Sequence, residues 1–266
     1  MKNTIHSIKY SSGKISCSAH YHNCHQILFV TQGNATVVLN DKERPLTSGK
    51  ILILNRFEQH SIKSPSENYE RFILRIEPQA QYSGDPRLFS IILNRPNNFI
   101  NIIDCEEDFQ KIKFTFERLT SEFDSTSPMS KTMTELLFNQ LLIYIYRHIK
   151  LDFPHYDSIS FSPILKAENI LSVNYYKKIS LKQLADALSV SPSLLSHSFK
   201  KITGMSVMNY LLACRIAEAK SQLIKTDMPI GRIAEQCGFS DFSNFSRIFK
   251  KMTGYTPSQY LKTFKY

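Results

Sequence analysis

Short apolar runs broken by turn-forming residues fill the chain between residues 26 and 77. In chain order they are ILFVTQG, ATVVLNDKE, ILILN, HSIK and RFILRIE. Runs of this length that are rich in β-branched residues are typical of strands in a sandwich or barrel. Residues that tolerate the backbone angles of tight turns lie between the runs, at Gly33-Asn34, Asn40-Asp41 and Ser48-Gly49. The pattern predicts an antiparallel β-domain.

A helical periodicity replaces this pattern after Pro86. Residues at three- and four-residue spacing define one predicted helical face, which consists of Met133, Leu136, Leu137, Gln140, Leu141, Tyr144, Ile145 and His148. The segment 106–123 is the predicted antiparallel partner, and the loop 125–128 joins the two, so we expect a helical hairpin over about 106–150. Its apolar face has two possible partners, the chain's own β-domain or a second copy of the protein. We favour a homodimer formed through the hairpin, because a partner surface would explain two amphipathic helices after a complete β-domain.

The change of pattern predicts two domains. Residues 151–163 have no clear period and contain two prolines, so they form the predicted linker, and everything after them has the pattern of helices. We therefore expect an α+β protein. Residues 1–155 are the predicted β-barrel domain with its hairpin, and residues 163–266 are the predicted all-α domain.

The helical region contains an internal repeat. The first copy, from residue 180, reads SLKQLADALSVSPSLLSHSFKKITG, and the second, from residue 229, reads PIGRIAEQCGFSDFSNFSRIFKKMTG. Ala185 aligns with Ala234 at an offset of 49 residues, whereas Gly204 aligns with Gly254 at an offset of 50. One residue has been added in the predicted turn, and the rest of the two copies is in step.

Each copy has the signals of a helix-turn-helix unit, over about 181–203 and 230–253. Ser180 with Gln183 forms a predicted capping box, and Ser191-Pro192 starts the second helix of the first copy. A glycine ends the second helix in both copies. Between the units, 206–226 is an unbroken helical pattern about 30 Å long. A rigid connector of this length would let one chain read two successive major grooves, which lie about 34 Å apart.

The second helix of each unit has a buried and an exposed face. The predicted buried stripe consists of Leu195, Phe199 and Ile202 in the first unit and of Phe245, Ile248, Phe249 and Met252 in the second. The outer faces carry Ser193, Ser196, His197 and Lys200, and Ser243, Ser246, Arg247 and Lys250. Arginine bonds bidentately to guanine, serine bonds to several base edges, and lysine suits phosphates. A single helix-turn-helix can be a packing motif alone, but two copies with matched basic faces favour DNA binding.

The distribution of charge supports this interpretation. Residues 1–159 contain 18 Lys and Arg against 17 Asp and Glu, a net charge of +1, while residues 160–266 contain 15 against 6, a net charge of +9. The excess of positive charge therefore lies in the domain that contains the repeat. A basic domain beside a neutral one is typical of a protein in which only one domain binds a polyanion, although a solvated basic surface gives the same count.

Other functional classes find little support in the sequence. The five cysteines contain no C-x-x-C pair, so we expect reduced thiols, mostly in the core; they are Cys17, Cys24, Cys105, Cys214 and Cys237. No apolar run approaches a membrane span, and the first residues lack a secretory core, so a cytoplasmic protein without membrane association is expected. No nucleophile, phosphate-binding or H-E-x-x-H motif appears, and we expect no enzyme activity.

Residues 170–262 strongly resemble the AraC/XylS family of transcription regulators, and GFSDFSNFSRIFKKMTGYTP is a highly specific match. The resemblance implies a seven-helix domain that binds promoter DNA and usually recruits RNA polymerase to activate transcription. It also implies base-reading positions at Ser193, Ser196 and His197 in the first unit and at Phe242, Ser243, Ser246 and Arg247 in the second. Where the family usually has arginine this chain has His197, and a neutral histidine cannot make the bidentate guanine contact.

The N-terminal half resembles the cupin-type sensor domain found in this family, so the β-barrel is expected to be cupin-like. The first cupin motif corresponds to His20-x-His22, Gln26 and Gly33, and the second to Gly49 and His60. In metal-dependent cupins these positions imply three histidines and a glutamate around one metal, but here the carboxylate position is Gln26, and the later proline and glycine positions are Asn55 and Phe57. Three imidazoles suit Zn, Fe or Ni. We expect no metal and no cofactor, and assign His20, His22, Gln26 and His60 to a small-molecule effector.

The leading hypothesis is a promoter-binding regulator that activates transcription, as the resemblance implies, and whose cupin pocket binds an effector of unknown identity. One alternative is a metal-dependent cupin enzyme, such as a dioxygenase or isomerase, or a metal sensor fused to a DNA-binding domain. A second is a regulator without an effector, controlled by its abundance or by a protein partner, in which side chains fill the barrel.

Overall fold

A computed structural model describes most of the chain in two units, 1–160 and 161–266. The described residues are 4–14, 16–39, 41–77, 82, 84–93, 101–149 and 163–265. The predicted linker, 151–163, lies outside the described residues except for Pro163, where a helix begins. None of the helices in the described ranges is long and apolar enough to cross a membrane.

Nine antiparallel strands are found in the described part of the N-terminal unit. They are β1 Ile5–Ser12, β2 Cys17–His20, β3 His25–Gln32, β4 Asn34–Leu39, β5 Lys42–Thr47, β6 Lys50–Leu54, β7 His60–Lys63, β8 Glu70–Ile76 and β9 Ile102–Asp104. One sheet has the order β1-β8-β3-β6-β9, and the other has the order β2-β7-β4-β5. The five apolar runs all form strands, as predicted. The positive φ angles of Gly33 (+73°), Asp41 (+61°) and Gly49 (+84°) confirm the tight turns between them.

Strand β3 is buried on both faces, which explains its continuous apolar run. Leu28 and Val30 belong to an apolar layer with residues of the second sheet, such as Val37. Ile27 and Phe29 point the other way, into a cluster with helical residues. Because successive side chains of a strand alternate between faces, a strand covered on both sides needs apolar residues at every position.

Three helices follow the strands: α1 Pro86–Leu93, α2 Phe109–Phe123 and α3 Ser130–His148. The last two form the predicted hairpin, preceded by a short 3-10 turn at Glu106–Asp108. The Phe116 ring stacks on Phe29 and on Phe72 of the sheet, with centroids 5.6 and 5.2 Å apart. The hairpin's apolar face is therefore buried against its own β-domain, the alternative that the sequence left open.

The predicted face of α3 is wrong by part of a turn. The residues buried in this helix are Leu137, Phe138, Leu141, Leu142 and Ile145. Leu136 is 60% exposed and Gln140 is also exposed, although both were placed on the predicted apolar face. The reason is that this helix has apolar residues on two adjacent faces, so spacing alone does not define which one meets the sheet.

Residues 163–265 fold into seven helices, in agreement with the resemblance. They are α4 Pro163–Val173, α5 Leu181–Ala187, α6 Pro192–Thr203, α7 Val207–Lys225, α8 Ile230–Gln236, α9 Phe242–Thr253 and α10 Pro257–Phe264. The pair α5 and α8 keeps the offset of 49 residues, and the pair α6 and α9 keeps the offset of 50. The added residue therefore lies in the turn of the second helix-turn-helix unit.

The predicted helix boundaries are confirmed by their caps. The Ser180 hydroxyl accepts from the Gln183 N–H, and both halves of the capping box are present. Ser191 caps α6, with Pro192 in its first turn. Gly204 and Gly254 end α6 and α9 in the left-handed region, with φ angles of +75° and +82°.

The two helix-turn-helix units differ at the tight turn between their two helices. Gly238 has a φ of +84°, and a Cβ at this position would lie 2.7 Å from the Tyr176 carbonyl oxygen, so only glycine fits without movement. The equivalent residue of the first unit is the exposed Ser189, which has a φ of +55°. A left-handed conformation is strained for a residue with a side chain.

Replacing Ser189 with Gly is expected to stabilise the C-terminal unit by about 0.5–1 kcal/mol, because relief of the left-handed strain outweighs the extra freedom of glycine in the unfolded chain. Urea unfolding of the full-length protein measures the effect. Ser189→Ala, which keeps a Cβ, is the matched control and should give no gain. Equal stabilities of the two variants would contradict the proposed strain.

Candidate nucleic-acid interface and sensor site

Helices α6 and α9 present the same side to solvent. Residues 191–200 and 241–250 have the same order of buried, half-buried and exposed positions, one for one. Leu195 and Phe199 are buried in the first helix, and Phe245 and Phe249 take the equivalent places in the second. Ile248 and Met252 are partly buried beside them, as predicted, and the side chain of Ile202 lies outside the described part of the chain.

The predicted DNA-contacting residues lie on this outer side. Ser196 and Ser246 are half-buried, and the others are exposed: Ser193, His197, Lys200, Phe242, Ser243, Arg247 and Lys250. In the first unit, Ser193, Ser196, His197 and Lys200 line one open depression of about 840 Å³ together with Lys201. The geometry thus brings the four predicted residues of that unit to a single concave surface.

Two further outward residues were missed by sequence reasoning. Asn244 accepts a hydrogen bond of 2.9 Å from Arg247 Nη2 on the outer side of α9. The equivalent position of α6 is Leu194, which is 56% exposed, and Phe242 is 51% exposed. Apolar side chains at such positions suit the thymine methyl group. The repeat, at its offset of 50 residues, aligns Leu194 with Asn244. Comparison of the two aligned helices could therefore have identified both as outward positions.

Helix α7 connects the two helix-turn-helix units of the C-terminal domain. Its Tyr210 packs edge-on against Phe199 of the first unit, with centroids 5.2 Å apart, and its Ile216 and Leu223 belong to the core cluster of the second. Arg215 of the same helix donates hydrogen bonds to the Tyr175 and Lys177 carbonyl oxygens, at 2.8 and 2.9 Å. The connector is therefore packed along its length and fixes α6 and α9 relative to each other.

The three predicted cupin histidines form a cluster in the N-terminal unit. His20 and His60 are paired across strands β2 and β7, and His20 Nε2 lies 3.0 Å from His22 Nε2. One ring nitrogen from each of the three residues lies within 4.8 Å of the others. Cross-strand pairing thus gathers side chains that are up to 40 residues apart in sequence.

The surrounding backbone orients this cluster. His60 Nδ1 contacts the Glu58 carbonyl oxygen at 2.9 Å, and burial lowers the pKa of His60 to about 4, so the ring is neutral at pH 7. Nδ1 therefore donates to the carbonyl, and Nε2 is the ring nitrogen that carries the lone pair. The Phe57 N–H donates to the His22 carbonyl oxygen at 2.8 Å, from a left-handed conformation with a φ of +60°. Phe57, at the position where the cupin motif has glycine, thus adopts a left-handed backbone conformation that favours glycine.

Gln26 is 3% exposed, and its Nε2 contacts Cys24 Sγ at 4.0 Å. The two side chains therefore lie on the same side of the backbone. His25 instead accepts a hydrogen bond from the Arg56 N–H at 3.4 Å and is not part of the cluster. Cys24, Cys105, Cys214 and Cys237 are buried free thiols and Cys17 is half-buried, in agreement with the expected reduced core cysteines.

The cluster fits a divalent metal in its donor chemistry. In a tetrahedral zinc site with Zn–N bonds of about 2.0–2.1 Å, ligand nitrogens are about 3.3 Å apart. The His20 and His22 nitrogens lie 3.0 Å apart, and all three ligand nitrogens lie within 4.8 Å of one another. His20, His22 and His60 would hold the ion, and Gln26 replaces the anionic fourth ligand of metal-dependent cupins. The donor set would leave the metal with its full positive charge and an open position.

Comparisons with known proteins agree with this geometry. Residues 10–85 match the family described as "AraC-like ligand binding domain", and residues 184–263 match the family described as "Helix-turn-helix domain". Over 251 residues, the chain is 28% identical to the HTH-type transcriptional activator RhaR of Shigella dysenteriae serotype 1 (strain Sd197), covering 91% of this chain and 86% of that protein. RhaR of Escherichia coli (strain K12) is 27% identical over the same length and coverage.

A solved structure shares the whole two-domain fold. The crystal structure of ToxT from Vibrio cholerae O395 superposes with a TM-score of 0.68 at 17% identity, covering 98% of both chains. The fold and the site define a DNA-binding transcription activator that carries a ligand-binding domain before two helix-turn-helix units. The chain belongs to the AraC/XylS family. The curated relatives are transcription regulators rather than enzymes.

Proposed function

We propose that this regulator places α6 and α9 in two successive major grooves of promoter DNA. The observation that carries the proposal is the pair of matching outer faces, held in one body by α7. The 19 residues of this helix span about 28 Å at 1.5 Å per residue, which is close to the ~34 Å of one DNA turn. The net charge of +9 beyond residue 159 supplies the attraction to phosphate.

Individual residues take different roles in this complex. Arg247 reads guanine, and its hydrogen bond with Asn244 holds the guanidinium along the helix. Lys200 and Lys250 neutralise phosphates. His197 and Phe242 contact base edges. The outward serines do the same, and they are Ser193, Ser196, Ser243 and Ser246. RNA polymerase is the proposed second partner, as the family resemblance implies, and the cytoplasm, where promoter and polymerase meet, is the proposed location.

The proposed effector site comprises His20, His22, Gln26 and His60, of which the three histidines form the cluster described above. ToxT is described in complex with an unsaturated fatty acid and with (E)-4-(8-methylnaphthalen-1-yl)but-3-enoic acid, and this supports a small molecule as the effector here. A ligand shifts the regulator only if it binds one arrangement of the protein better than another. We assign the domain no catalytic activity.

We also propose that the chain dimerises through the outer side of the hairpin. The inner side is used by the sheet, but Leu136 and Ile143, seven residues apart on α3, are 60% and 38% exposed, and Phe114 of α2 is 60% exposed. Residues at this spacing lie on one helical face. Burial of this surface by a second copy would remove exposed apolar side chains from water.

The first experiment is sequencing of genomic DNA fragments bound by the purified full-length protein at physiological salt. Enrichment of a few sites with contacts in two successive major grooves supports the proposal, and binding without sequence preference rejects it. Arg247→Ala is expected to weaken an enriched site by about 1–3 kcal/mol while barely changing random DNA. Lys250→Ala, the matched control, should weaken both about equally. An equal loss on both DNAs in Arg247→Ala would contradict base reading.

For the dimer, Leu136→Asp with Ile143→Asp should produce a monomer in analytical ultracentrifugation, because two buried charges without partners cannot be accommodated in an apolar interface. Lys131→Asp, an exposed change on the same helix, is the control for charge alone. A double variant that sediments as the wild type does would place the interface elsewhere.

A metal sensor is the second candidate function, and the histidine cluster is the observation that favours it. Titration with Zn²⁺ by calorimetry should then show one site per chain, lost in His60→Ala and His20→Ala. His25→Ala, outside the cluster, should bind normally. An absence of stoichiometric binding to the wild type would reject this candidate and leave the small-molecule effector in place.

A further inference from the structure

A second contact joins the two helix-turn-helix units beside α7. The segment 174–178 follows α4 and leads to Ser180, the N-cap of α5 in the first unit. The carbonyl group of Tyr176 in this segment lies against the turn of the second unit, because a Cβ at Gly238 would come within 2.7 Å of the carbonyl oxygen. The entry to the first unit and the turn of the second therefore approach each other backbone to backbone.

Arg215 of α7 holds this contact from the side. Its Nε and Nη2 donate to the carbonyl oxygens of Tyr175 and Lys177, at 2.8 and 2.9 Å. The same guanidinium lies over the ring of Phe239, 5.6 Å from its centre, and this ring packs against Phe245 of α9 with centroids 5.1 Å apart. Arginine can serve both partners at once, because its N–H donors point outward in the guanidinium plane while its face stacks on an aromatic ring. One side chain thus connects the entry to the first unit with the turn and the second helix of the other.

Arg215 lies where α7 passes from the core of one unit to the core of the other. Before it, Tyr210 packs against Phe199 of the first unit. After it, Ile216 belongs to the core cluster of the second unit. Two bodies joined through one helix can still bend at the point between their cores, because long helices are rarely rigid rods. A contact beside the helix at this point removes that freedom.

We infer that Arg215 is a positioning residue that fixes the relative orientation of α6 and α9 and thereby sets the spacing that the regulator accepts between two DNA half-sites. A half-site is here the DNA segment that one of these helices contacts. The effect on DNA rests on the proposed function, whereas the fixed orientation is a property of the free protein. One inserted base pair moves the second half-site by about 3.4 Å and turns it by about 35°, and a fixed pair of helices cannot follow this change.

Distance measurement between two spin labels tests the orientation in the free full-length protein. The labels are attached at Lys201→Cys and Lys251→Cys, which are equivalent exposed positions of α6 and α9, in a Cys17→Ser background because the other four cysteines are buried. The wild-type sequence should give one narrow distance distribution. Arg215→Met should lose this narrow distribution while the helix content in circular dichroism stays the same. Arg215→Lys should broaden the distribution less, since lysine can keep one of the two hydrogen bonds.

The effect on DNA is measured with a site enriched from genomic fragments, prepared with its native spacing and with one base pair inserted between the half-sites. The wild type should bind the inserted site at least about tenfold more weakly, because a lost bidentate base contact costs about 1–3 kcal/mol. Arg215→Met should reduce this ratio several-fold, whereas partial unfolding alone would weaken both sites equally. Arg232→Met, which changes an exposed arginine of α8, is the matched control and should keep the wild-type ratio.

Phe239→Leu is the second variant and keeps the test decisive if Arg215→Met does not fold, because it retains an apolar core side chain and removes only the aromatic face. It should change the distances and the ratio in the same direction as Arg215→Met. Unchanged distances in the folded variants, or an unchanged ratio at an enriched site, would overturn the inference. Failure to enrich any genomic site rejects the proposed function, and the spin-label distances then still decide whether Arg215 fixes the two helices.

Discussion

The five-stranded sheet of the N-terminal unit is covered on both faces along β3 and β8, and this double burial organises the domain. One face meets the second sheet and encloses the layer that contains Tyr69 and Arg71. The other face carries Phe29 and Phe72 under Phe116 of the hairpin. A side chain moved on one face of a strand displaces the backbone that carries the other face, because close-packed interiors transmit displacement. The layer between the sheets and the helical hairpin are therefore mechanically coupled through β3 and β8.

In the C-terminal unit the corresponding constraint is the packing of α7. A helix with polar residues all round would let the two helix-turn-helix units move independently. Here eight of its 19 residues are buried, distributed from Val207 to Leu223. Arg215 adds hydrogen bonds to backbone oxygens after α4, and its guanidinium lies 5.6 Å from the ring of Phe239 in the second turn. The spacing of the reading helices is thus a property of the core.

Much of this architecture could be predicted from the sequence. The repeat fixed both helix-turn-helix units and the added turn residue, because glycine, serine and proline caps act locally. Strand β1 and helix α1 were not predicted: β1 is an edge strand with several exposed positions, so its pattern lacks clean alternation. The exposure of Leu136 could not be predicted either, because it depends on which face of α3 packs against the sheet. The cupin spacing indicated the histidines, but the burial of Arg71 could not be read from RFILRI, where arginine alternates as a solvent-facing residue would.

Helices α6 and α9 have the same pattern of buried positions but differ in their outward residues. Histidine stands at 197 where arginine stands at 247, and Leu194 stands where Asn244 does. Two unlike readers on one rigid body cannot be exchanged by rotating the protein half a turn on the duplex. If both helices contact DNA as proposed, the DNA site for a single chain is asymmetric, and the bound protein has one defined direction along the DNA. Such polarity distinguishes upstream from downstream without help from a second subunit.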